Sequence, residues 1–94
     1  MREVTTEKIK RYLYITRESL ASLEISAPEG THLRKVAEDY LLMARSYYQD
    51  AEHYFKKGDY VTSLSCVCYA HAWLDAGVRL GVFKIIKNRE FFTF

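Results

Sequence analysis

An all-α fold, an up-and-down three-helix bundle with an apolar C-terminal tail, is what this sequence predicts, and three observations predict it. The 94-residue chain holds one Pro and four Gly, too few breakers for many short strands and tight turns. Apolar residues recur at spacings of three and four through most of its length. The pattern is interrupted around Pro28 and Gly30, at Gly58-Asp59, and again at Gly81. Domains usually run to roughly 100–200 residues, so residues 1–94 are read as a single domain.

The first helix is placed at about residues 5–25. Thr5 or Thr6 can cap its free N–H groups, and Glu7 sits at the positive end of its dipole. Ile9, Leu13, Thr16, Leu20 and Leu23 form one stripe, with Lys10, Arg11, Arg17 and Glu18 off it. Pro28 disfavours helical geometry at Ala27, and Gly30 tolerates a turn. The second helix, about 31–57, starts at Thr31 and has a seam of alternating small and large residues: Leu33, Ala37, Tyr40, Ala44, Tyr47, Ala51 and Tyr54. Lys56-Lys57 suit its last turn and Gly58 its exit. Asp59 then caps a third helix, about 59–80, stopped by Gly81. The short connection makes these two helices antiparallel. The seam expected on the third is Tyr60, Leu64, Val67, His71, Leu74 and Val78.

Between Tyr60 and Leu74 there is no Lys, Arg, Asp or Glu. A bundle helix normally turns a charged face to water, so the face opposite the seam, Thr62, Cys66, Tyr69, Trp73 and Ala76, needs a cover. Two covers are available. One is the tail at 82–94, with Phe83, Phe91 and Phe92 among its seven large apolar residues. The other is a second subunit or another protein, since apolar patches with aromatics mark interfaces.

The stretch Tyr47-Tyr48-x-Asp50-Ala51-x-x-Tyr54-Phe55-x-x-Gly58-Asp59-Tyr60, followed by Tyr69-Ala70-His71-Ala72-Trp73-Leu74-Asp75-Ala76-Gly77-Val78-Arg79-Leu80-Gly81, resembles the archaeal family called domain of unknown function 357. The likeness is densest over about Tyr47 to Phe83. It implies a three-helix up-and-down bundle and an archaeal source, and it assigns no catalytic residue. The turn after Tyr54 also resembles that of a tetratricopeptide repeat, but one copy cannot stack, so it is read as a plain helical hairpin.

Few residues point to chemistry. Cys68, His71 and Asp75 share one side of the third helix at i, i+3 and i+7, yet one straight helix supplies neither an oxyanion site nor a cleft. His71 is read as a hydrogen-bonded core residue. Asp50 and His53 are only a fragment of a bundle metal site, so no metal and no cofactor are expected. Asp75 and Arg79 pair at i, i+4, with Gly77 between them allowing close approach. Tyr12 and Tyr14 lie among Lys8, Lys10, Arg11 and Arg17, diluted by Glu7 and Glu18, and the net charge of +2 argues against nucleic acid. The tail interleaves Phe and Ile with Lys84, Lys87 and Arg89, as a membrane-surface anchor does, but it is too short to span a bilayer, and such tails usually dock on their own domain or fray, which argues against a membrane role. The expectation is a cytosolic, non-enzymatic protein–protein interaction or self-association module. Its anchors would be Thr62, Cys66, Tyr69, Trp73, Ala76, Phe83, Phe91 and Phe92. The alternative is a small-ligand or nucleic-acid binder using His71, Asp75 and Arg79 or the basic first helix.

Overall fold

A computed structural model describes residues 5–92 of the chain. Three helices pack together: α1 (Thr6–Leu20), α2 (His32–Lys56) and α3 (Tyr60–Leu80). Each opens on the cap that its sequence supplies. Thr5, Thr31 and Asp59 accept the N–H groups of Lys8, Arg34 and Thr62, each at 3.2 Å. These bonds satisfy N–H groups that have no partner within the helix. At the far end of α3, Gly81 adopts a left-handed φ of 93°. There the Gly81 and Val82 N–H groups return to the Gly77 carbonyl at 3.1 and 3.0 Å, closing the helix as glycine permits.

The first helix is shorter than its apolar pattern predicts. It ends at Leu20, and Leu23–Ile25 form a strand, β1, antiparallel to a second strand, β2 (Phe83–Ile85), in the tail. Leu23 faces Ile85, Glu24 faces Lys84 and Ile25 faces Phe83. Both segments alternate apolar, charged, apolar, which suits a strand with one face buried. The end of α1 is prepared by serines. Ser19 and Ser22 turn their hydroxyls back onto the Ile15 and Glu18 carbonyls at 2.7 and 2.6 Å, competing with continuation of the helix. A two-stranded ribbon does not stand alone; this one lies against the helices, with Phe83 and Val82 in the core. A single 3₁₀ turn, Arg89–Phe91, follows. Thr93 and Phe94, the last residues of the predicted apolar tail, lie outside the described residues.

The helical core is built on small residues. Ala37, Ala44 and Ala51 of α2 are fully buried, as are Ser63, Ala70 and Leu74 of α3. Alanines spaced by seven let the backbones of α2 and α3 approach closely. Ser63 uses that proximity: its hydroxyl donates across the interface to the Ala51 carbonyl at 2.7 Å. The buried seam of α3 therefore runs through Ser63, Val67, Ala70, Leu74 and Gly77. It shares Val67 and Leu74 with the predicted seam, but Tyr60 is exposed and His71 only half-buried. The large residues flank the point of closest approach, and the small ones occupy it.

Candidate functional site

The rotation of α3 changes which side chains meet water. Trp73 is half-buried beside α2, its ring edge-on to Tyr40 at 5.0 Å and to Tyr69 at 6.0 Å, and Tyr69 in turn meets Tyr47 at 4.5 Å. The cover that Trp73 was expected to need thus comes in part from Tyr40 of α2 and Tyr69 within α3. Thr62 and Cys66 are also half-buried. Burial, with the Asp50 and Asp59 carboxylates nearby, pushes the Cys66 thiol above its usual pKa. Tyr40 and Tyr47 of α2 lie against this flank.

The tail packs elsewhere. Phe83 fills the space that the missing side chain of Gly77 leaves on α3. Phe92 is buried and stacks on His71 at 5.8 Å, and Phe91 meets Tyr14 of α1 edge-on at 6.2 Å. These three residues are thus intramolecular packing groups, not a free interface. The close approach that Gly77 permits is made by the protein's own tail.

His71 ties α3 to both neighbours. Its Nε2 lies 2.7 Å from the Phe91 carbonyl oxygen, and its Nδ1 lies 3.2 Å from the Thr16 hydroxyl of α1. A carbonyl can only accept, so Nε2 carries a hydrogen, and where Nδ1 carries none the Thr16 hydroxyl donates to it. Asp75 Oδ1 stands 3.7 Å from the same Nε2, while Arg79 is exposed on the outer side. The three ligand candidates are therefore divided between a groove wall and the open surface. His71→Ala removes both bonds of a part-buried ring. It is expected to cost about 2 kcal/mol and to speed amide exchange at Phe91 and Phe92; wild-type exchange there would refute the tie.

Beside His71, α1 and α3 part to form a groove of about 340 Å³. Tyr12, Ile15 and Thr16 form one wall, and Cys68, Ala72 and Asp75 the other, with Phe91 at the end. Burial raises the Cys68 thiol above its usual pKa, against the pull of Lys8. A protonated thiol is a poor nucleophile, and the hydrogen bonds of the His71 ring nitrogens go to Thr16 and Phe91. Among the described residues no cluster of three or more His, Cys, Asp or Glu side chains could hold a metal ion, and no helix is long and apolar enough to cross a membrane.

The true outer face of α3 continues from that groove. Val61, Ser65, Cys68, Tyr69, Ala72 and Ala76 are all exposed, Val61 at 66% and Tyr69 at 49%. None carries charge. Sequence reading found Tyr69 and Ala76 but missed Val61, Ser65, Cys68 and Ala72, because it placed the seam one flank away. The signal that would have found them is residue size, since Ser63, Ala70 and Gly77 mark the closest approach better than the large residues do.

Fold and surface together define a small helical protein that folds its tail back as a strand and leaves one uncharged helix face open. The chain matches the model of the family described as Protein of unknown function (DUF357) over residues 11–83, and it belongs to that family. The matched stretch runs from α1 to Phe83, the residue packed into Gly77. No curated protein and no solved structure matches the chain.

Proposed function

We propose that this protein is a non-enzymatic interaction module that self-associates through the outer face of α3. The observation that carries the reading is the uncharged, exposed strip from Val61 to Ala76, which meets the apolar groove at Cys68 and Ala72. The rest of the surface is ordinary, in a chain that is 28% charged. Ser65, Cys68, Ala72 and Ala76 recur at spacings of three and four, so a second helix can approach closely, and Tyr69 and Val61 supply apolar area at the flanks. A two-fold pairing of identical strips is self-complementary, as isologous interfaces must be.

Light scattering coupled to size exclusion should give twice the 11.1 kDa chain mass. Ala72→Glu is the sharper test, because Ala72 is exposed and Glu is a good helix former. Two buried carboxylates facing each other across a two-fold are strongly unfavourable. The variant is expected to be monomeric with unchanged helical circular dichroism. A monomeric wild type, or a variant that still associates, would overturn the reading.

A further inference from the structure

We infer that the groove between α1 and α2 is a second, separate site, and that it binds nucleotides. It measures about 330 Å³, the size of a small-ligand pocket. From α1 come Lys10, Tyr14 and Arg17; from α2 come Tyr48, Glu52, Phe55 and Lys56. Neither helix alone has this combination. The cations of α1 are diluted in sequence by Glu7 and Glu18, and only folding adds a lysine and two aromatic rings from the end of α2.

The charges are not equivalent. Arg17 is already engaged: its guanidinium lies 5.6 Å from the Tyr14 ring centroid and 3.7 Å from the Glu18 carboxylate. Glu52 accepts the Tyr48 hydroxyl at 3.2 Å, and burial together with that carboxylate pushes the Tyr48 phenol above its usual pKa. Lys10 and Lys56 are exposed and have no ion pair among the described residues. In an up-and-down bundle α1 and α2 run antiparallel, which places Lys10 beside Lys56 at one end of the groove. Glu52, Tyr48 and the engaged Arg17 then stand toward the other, with Phe55 and the half-exposed Tyr14 between.

That order selects a ligand. A phosphate is drawn to the lysine end and repelled from Glu52, and a flat aromatic group is accommodated by Tyr14 and Phe55. At the far end a carboxylate accepts hydrogen bonds, so bases with an exocyclic amine are favoured over uracil. An acidic peptide would use the lysines and leave the rings idle. The shared chemistry, a base plus a phosphate, belongs equally to a free mononucleotide and to single-stranded RNA.

The test is a titration of isotope-labelled protein followed by amide chemical shifts, with AMP, UMP, inorganic phosphate, polyglutamate and a short oligoadenylate as probes. AMP or oligoadenylate should shift residues 10–17 and 48–56, with UMP weaker. Binding by AMP identifies a mononucleotide site, and binding by the oligomer alone identifies an RNA site. The exposed-residue variants Lys10→Ala with Lys56→Ala, and separately Tyr14→Leu, should weaken binding about tenfold and several-fold. For the oligomer, the double variant should also reduce the salt slope by about 1.4. Ala72→Glu should leave binding unchanged. Equal response to phosphate or polyglutamate, no response to any probe, or indifference to these variants would overturn the inference.

Discussion

Phe83→Ala is expected to lower the unfolding free energy by about 3–5 kcal/mol. Phe83 is only 4% exposed, belongs to the main core cluster and stands in β2 opposite Ile25. Truncating it empties the space against Gly77, where no side chain exists to collapse inward, so the cavity term is felt in full. A domain of this size is stable by about 5–10 kcal/mol, and the loss is a large share of it. Chemical denaturation would measure the change; a loss below about 1 kcal/mol would show that the ribbon contributes little to the folded state.

Gly77→Ala is the second large effect, and its sign is the informative part. In an open helix interior this replacement stabilises by about 0.5–1 kcal/mol, because glycine loses the most backbone entropy on folding. Here a methyl group on Gly77 would overlap the Phe83 ring, and overpacking of a tight core costs about 1–3 kcal/mol or more. The net expectation is destabilisation by about 2 kcal/mol. In Gly77→Ala/Phe83→Ala the methyl group partly fills the cavity that the lost ring leaves. The double variant should therefore be more stable than the sum of the single effects predicts, by at least about 1 kcal/mol. Strict additivity would mean that the two residues do not press on each other.

Most of the helical frame is legible in the sequence. Thr31, Asp59, Gly58 and Gly81 act locally, through caps and left-handed turns that neighbouring residues decide, and these α2 and α3 boundaries agree with the structure to within a residue or so. The end of α1 was not legible. Leu20 and Leu23 continue the helical stripe, and only the distant Phe83-Lys84-Ile85 makes Leu23-Glu24-Ile25 a strand. The candidate site suffered from a different ambiguity. Helix 3 carries apolar residues nearly all round, so periodicity alone could not choose between a seam through His71 and one through Ala70. Packing chose the smaller residues, and the cover expected for Trp73 came from Tyr40 of α2.

The β1–β2 ribbon also orders the assembly of the chain. Its partners lie about 60 residues apart, so closing it before the helices dock would cost several kcal/mol of chain entropy that three residue pairs cannot return. The α2–α3 hairpin, joined by a tight turn, has no such loop to close and can form first. Once it has formed, Gly77 offers a waiting notch for Phe83, and His71 a waiting anchor for Thr16 and for the Phe91 carbonyl. The first helix and the tail, at opposite ends of the chain, are thus recruited to the same template, and each arrival shortens the search left to the other.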